Sequence, residues 1–152
     1  MNTLTSALHD HHKHCDTLFA DSEAAAADQD WPQCQARFIR FREEMENHFQ
    51  TEEGLLFPAF ESATGMSVGP TQMMRYEHAQ MRELFEQMGN AAARRDGGEF
   101  AGAAETLLIL MQQHNIKEEN ILYPMCDRGL AAQAETLAPR LQQRLEAACQ
   151  PA

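Results

Sequence analysis

The sequence repeats one device suited to holding a metal. His48-Phe-Gln-Thr-Glu52-Glu53-Gly-Leu-Leu56-Phe57-Pro58 and His114-Asn-Ile-Lys-Glu118-Glu119-Asn-Ile-Leu122-Tyr123-Pro124 share His, both Glu, Leu and Pro at equal spacing. Four residues along a helix return to nearly the same face, so each imidazole and its carboxylate lie one turn apart on one side. A lone His-x-x-x-Glu is ordinarily a solvated pair. Two copies within apolar seams, joined by a third seam histidine, His78, are a different matter. Imidazole nitrogen with carboxylate oxygen suits iron, manganese or zinc better than calcium or copper(I). Two carboxylates able to bridge, with histidines from four helices at terminal positions, favour a dinuclear site.

Such spacing needs long helices, and the composition supplies them. The chain of 152 residues is 43% hydrophobic and 23% charged, which suits a single domain over residues 1–152. It has one valine, Val68, and four isoleucines among Ala-, Leu-, Met-, Glu- and Gln-rich stretches, so β-branched material for a sheet is missing. Breakers at Asp28 to Pro32, Thr64 to Pro70 and Asp96-Gly97-Gly98 mark off four helical tracts at about 3–27, 32–62, 71–94 and 99–127. A fifth amphipathic stretch, about 131–148, is expected to pack outside them. The fold class is therefore all-α: an up-down-up-down four-helix bundle (about 3–127) with a short additional C-terminal helix.

Three seams support this. They run through Cys34, Phe38, Phe41, Met45, His48, Glu52 and Leu55; through Met74, His78, Met81, Phe85 and Met88; and through Leu107, Met111, His114, Glu118 and Ile121. Five ionisable groups occupy core positions, which costs several kcal/mol unless something neutralises them. Pro58 and Pro124 are expected to bend their helices beyond the site and leave the ligand turns intact.

Charge narrows the function. Lys and Arg total 12 against 23 Asp and Glu, a net charge of −11, which repels nucleic acid and anionic lipid. No apolar run is long enough for a signal peptide or a membrane span, so a cytoplasmic location is expected. Cys15, Cys34, Cys126 and Cys149 form no Cys-x-x-Cys and read as reduced thiols. The methionines, including Met73, Met74, Met81, Met88 and Met111, read as core filling. Tyr76 falls off the His78 seam, Tyr123 falls beyond the site unless Pro124 bends it inward, and Glu43-Glu44-Met45-Glu46 reads mostly as a solvated face.

The doubled His-x-x-x-Glu-Glu…Leu-(Phe/Tyr)-Pro signature resembles the hemerythrin-like proteins, the HHE cation-binding domain, over roughly residues 5 to 127. The resemblance implies a non-haem di-iron centre, two iron ions bridged by an oxide or hydroxide, that binds dioxygen or a related small ligand such as nitric oxide or peroxide. Carried over by position, the metal ligands are His48 and Glu52, His78 in Tyr-Glu-His, and His114 with Glu118, the two glutamates bridging. Among His9, His11, His12 and His14, the seam of Leu8, Cys15 and Leu18/Phe19 leaves His11 and His12 within reach. The family's histidine, followed by apolar residues at the third, sixth and seventh positions, fits His12, with His11 the alternative and His9 and His14 on the surface.

Two departures from the oxygen carriers matter. Met74 stands where they have a further histidine, and Glu119 where they have an aspartate. Glu118 instead matches relatives linked to iron-sulfur cluster repair and nitric oxide. Besides ligand binding, then, the resemblance admits a di-iron enzyme acting on peroxide or nitric oxide, or an iron donor or sensor working through a partner protein. A metal-free or zinc-bound bundle is the structural alternative.

Overall fold

The computed structural model describes residues 3–149; Met1, Asn2, residues 150–152 and the Cys149 thiol lie outside the described residues. Helices α1 (Ser6–Ala27), α2 (Trp31–Thr51), α3 (Phe57–Thr64), α4 (Pro70–Ala93), α5 (Gly97–Lys117), α6 (Tyr123–Gly129) and α7 (Ala134–Cys149) follow one another, with a 3₁₀ turn at Ala131–Gln133 and no strand among the described residues. The expected breakers are where the chain reverses. Asp30 accepts the Gln33 N–H at 3.3 Å to start α2, with Pro32 in its first turn, and Asp96 accepts the Glu99 N–H at 3.0 Å to start α5. Gly65, at φ 73°, ends α3 in the left-handed conformation that glycine tolerates. The first helix begins at Ser6 rather than near residue 3, and Thr5 just ahead of it donates its hydroxyl to Asp127 of α6 at 3.1 Å, tying the start of the first rod to the end of the last.

The long rods α2 to α3 and α5 to α6 are each continuous but not uniform. At Glu52–Leu56 and at Glu118–Leu122 the helix widens into a π turn. The Phe57 N–H reaches the Glu52 carbonyl and the Tyr123 N–H the Glu118 carbonyl, five residues back in each case. Pro58 and Pro124 come next; proline has no N–H to give, and its ring crowds the carbonyl four residues earlier. The ligand turns themselves are intact as expected, the Glu52 N–H reaching the His48 carbonyl and the Glu118 N–H that of His114, and it is the turn after each ligand pair that is wider by one residue. The seams slip accordingly. Leu56 and Leu122 are buried in place of Leu55, which is only partly covered, and Ile121, which is 56% exposed.

Helix α1 lies along α2 and α4 along α5; α2 against α4 and α1 against α5 close the ring. Helix α7 covers the groove between α1 and α2, burying Leu137, Leu141 and Leu145. The core is two apolar clusters. One holds Phe19, Phe38, Phe41, Phe85, Phe100 and Leu107; the other holds Leu8, Leu56, Phe57, Phe60, Met74 and Leu122. Met74 packs there as its seam position requires, whereas Met73 is 51% exposed, a correction to its reading as core filling. Cys15, Cys34 and Cys126 are buried thiols rather than disulfide halves. No described helix is long and apolar enough to cross a membrane.

Removing a buried leucine from α7 tests whether that helix is part of the core or an ornament. Leu141→Ala should lower unfolding stability by about 2–5 kcal/mol in chemical denaturation, with helical circular dichroism retained. A loss under about 1 kcal/mol would show that α7 adds little to the bundle.

Candidate metal centre

Between the two apolar clusters lies a layer of charge. His12, His48, His78, His114, Glu52 and Glu118 are all at most 5% exposed. Each comes from a different turn of the bundle: His12 from α1, His48 from the end of α2, His78 from α4, His114 from the end of α5, and the two glutamates from the first residues of the π turns. Donor atoms converge in two groups. Glu52, His78, His114 and Glu118 bring one atom apiece to within 4.8 Å of one another, as do His12, His48 and Glu118. Glu118 is common to both.

The outward-facing side of each imidazole is fixed by a partner. The Nδ1 of His78 faces Glu53 Oε2 at 2.7 Å, that of His12 faces Glu119 Oε2 at 2.7 Å, and that of His114 faces Glu77 Oε1 at 2.8 Å. A carboxylate accepting the Nδ1 proton leaves Nε2 with its lone pair turned inward, the arrangement that orients and strengthens a metal-ligating histidine. The second glutamate of each Glu-Glu pair therefore serves a histidine on a neighbouring helix while the first points to the centre. His48 differs: its Nδ1 lies 2.9 Å from Nδ1 of His11, whose Nε2 lies 3.4 Å from Glu44 Oε2. If His48 presents Nε2 inward, it donates from Nδ1 to His11, and His11 donates from Nε2 to Glu44. His11 thus stands behind His48, and His12 Nε2 approaches Glu118 Oε1 at 3.1 Å.

These supports are themselves held. Arg82 donates to Glu53 at 3.1 Å and to Glu46 at 2.9 Å, Lys117 pairs with Glu77, and His9 lies 3.2 Å from Glu119. His14, near the surface, reaches Glu44 at 3.4 Å.

Four inward atoms have no hydrogen-bond partner although they are buried: Glu52 Oε1, His78 Nε2, His114 Nε2 and Glu118 Oε2. Buried polar atoms are almost always satisfied, so four lone-pair donors orphaned in one place is what a cation site leaves when side chains alone are counted. The donors, two imidazole nitrogens and two carboxylate oxygens, fit a first-row transition metal.

In the protein without bound cations, protons take over the neutralising role. Burial pulls the His114 imidazole down, but Glu118 and Glu77 more than reverse this and push it up to about 10. Burial likewise opposes the charged form of His12, and Glu118 with Glu119 push it up to about 9. His78 also rises, its burial outweighed by Glu52 and Glu53. Burial wins for His48, which falls, and for His11, which burial and then His48 lower to about 4. Burial would raise the Glu52 carboxyl, yet His48 and the hydrogen bonds around it hold that group well below the usual carboxylate range.

Two side chains that the sequence put elsewhere belong here. Tyr123, expected beyond the site, is 2% exposed and donates its hydroxyl to Glu52 Oε2 at 2.7 Å. A residue five places after Glu118 would point roughly 140° away on an α-helix, but the π turn closes over those same five residues and brings it back. Glu44, expected on a solvated face, is 2% exposed beneath His11. Tyr76 is 62% exposed, off the seam as its spacing required.

The family model described as Hemerythrin HHE cation binding domain matches residues 3–126. Comparison with curated proteins and with solved structures gives no match.

The opposed histidine shifts give a pH prediction for the protein stripped of metal. Groups raised above the ordinary 6.5, His114 and His12, stabilise the fold fully below that value and lose this as pH climbs through about 9 to 10. His11, lowered to about 4, stabilises the fold above 6.5 and loses this as pH falls through about 4. Thermal melts across that span should show the highest midpoint near neutrality with a fall on both sides. A midpoint that climbs steadily toward alkaline pH would contradict the shifts on His12 and His114.

Proposed function

This chain belongs to the hemerythrin HHE cation-binding family, and we propose that it is a di-iron protein whose ligands are His12, His48, His78, His114, Glu52 and Glu118. The observation carrying the reading is the set of four buried, unpartnered donors at the centre. Two donor groups that share Glu118 support a pair of cations with the glutamates between them. His78 and His114 would serve one cation, His12 and His48 the other. Both departures from the oxygen carriers find a place in this arrangement. Glu118 is inward and wholly buried while Glu119 holds His12 from outside, which favours Glu118 as the bridging carboxylate. Met74 lies in the apolar cluster and adds no donor, leaving room for an exogenous ligand on the His78 side.

When bound, the iron pair would supply a site for dioxygen, or for a related small ligand such as nitric oxide or peroxide. The chain's own part is to position and to exclude. Glu53, Glu119, Glu77 and His11 hold the imidazoles in one tautomer. Phe49 stacks on His78 with ring centroids 4.0 Å apart, and Leu8, Leu56, Phe57 and Leu122 close one end of the centre to water. Turnover of peroxide or nitric oxide is the second reading, favoured by the lack of a donor at Met74. Buried thiols at Cys15, Cys34 and Cys126 are in keeping with a reducing, cytoplasmic setting.

Metal analysis with an optical spectrum of the reduced protein before and after adding oxygen tests the reading. Two irons per chain and new oxo-bridged ferric bands are expected. His114→Ala and Glu52→Ala should abolish stoichiometric binding, and His14→Ala should leave it intact. Two irons retained by His114→Ala would overturn the ligand assignment.

A further inference from the structure

We propose that Tyr123 supplies its phenol oxygen as a protein ligand to the cation between His12 and His48, making the two halves of the centre chemically unlike. This rests on the dinuclear reading and extends it by one residue. The centre has a local two-fold relation: α1 corresponds to α4 and the α2 to α3 rod to the α5 to α6 rod. Glu53 supports His78 as Glu119 supports His12, and His114 leans on Glu77 where His48 leans on His11. Glu77 and His11 each stand one residue before the histidine of their own helix.

The relation extends to the first residue after each π turn. The Phe57 ring stacks on His78 at 6.0 Å and the Tyr123 ring on His12 at 5.7 Å. Equivalent rings in equivalent places differ by one oxygen. That oxygen lies 2.7 Å from Glu52 Oε2, 3.2 Å from Glu118 Oε1, 3.3 Å from His12 Nε2 and 3.4 Å from His48 Nε2.

The phenol's own hydrogen accounts for the nearest of these neighbours only. A phenol has one hydrogen, and a carboxylate oxygen only accepts, so that hydrogen cannot serve both Glu52 and Glu118. His12 and His48, with Nδ1 turned to Glu119 and His11, aim Nε2 lone pairs at the same point when they act as ligands. A shared cation reconciles the phenol oxygen with His12, His48 and Glu118, whose donor atoms lie within 4.8 Å of one another. Neighbouring donors on one first-row metal, each about 2.1 Å from it, stand about 3 Å apart. The four separations at the phenol straddle that value. The other half has the four unpartnered atoms and only the phenyl ring of Phe57, which offers no donor. Tyrosine oxygen is an accepted ligand type for ferric iron. On coordination the O–H bond gives way to an O–metal bond, the proton leaves to solvent, and no oxidation state changes.

The test uses the whole chain, loaded with ferrous iron without oxygen and then oxidised in air. The parent should hold two irons and show a visible phenolate-to-iron(III) charge-transfer band, with tyrosine ring modes in its resonance Raman spectrum that shift when the protein is grown on ring-deuterated tyrosine. Tyr123→Phe, which copies the Phe57 side, should keep two irons and lose the band and the ring modes entirely. A two-iron parent without tyrosine modes, or modes that persist in Tyr123→Phe, would overturn the assignment. The isotope shift needs no variant, so the assignment stays testable if Tyr123→Phe folds poorly. A parent that binds no iron would overturn the dinuclear reading itself, and the ligand with it.

Discussion

Burying six ionisable side chains in one layer of a helical bundle is the constraint on which the rest of this structure turns. Each ion removed from water costs several kcal/mol, and mutual attraction offsets that only when geometry and hydrogen bonding are good. Here four of the inward atoms have no hydrogen-bond partner, although His78 Nε2 and Glu52 Oε1 face each other at 3.2 Å, so hydrogen bonding among the side chains leaves the layer unsatisfied. Two divalent or trivalent cations would satisfy them. The residues one step out make sense only in that light: Glu53, Glu119 and Glu77 take the outer protons of imidazoles whose inner nitrogens must stay bare. Arg82 and Lys117 then hold those carboxylates from the solvent side.

The helices follow from the same need. Placing a histidine and a glutamate on one face takes a single α-turn, and placing the next ring over the glutamate takes a π turn. Both long rods make the change at the same register, starting at the inward glutamate, and a proline is the second residue past the turn's end. Apolar clusters on either side keep the layer dry, one rich in phenylalanine and the other closed by leucines from α1, the two π turns and α7. The two halves of the layer remain related but not equal. His11 stands in for Glu77, and Tyr123 for Phe57, both on the His12 and His48 side.

The fold class is legible because breakers and seams agree: Asp30, Gly65 and Asp96 act locally, and local chemistry can be read from a string. His48, Glu52, His114 and Glu118 stand out because a four-residue step is independent of everything else in the fold. Choosing between His11 and His12 is harder, since adjacent residues differ by roughly 100° and both end up buried. The π turns escape a reading by α-helical period, although Pro58 and Pro124 mark where they end. That single extra residue per turn explains the seam errors, Ile121 turned outward, Leu55 only partly covered and Tyr123 turned in. Glu44 escapes for another reason: what buries it is its meeting with His11 of α1, a contact across the bundle that charge spacing along α2 cannot show.

The most direct measurement of the central claim is thermal unfolding of the metal-stripped protein during anaerobic titration with ferrous iron. Cations that resolve the buried charge must stabilise the folded state over the unfolded one, so the melting midpoint should climb steeply and level off at two equivalents per chain. A midpoint that does not move across the titration would mean that the buried histidines and glutamates satisfy one another without metal, and would contradict a bundle organised around cations.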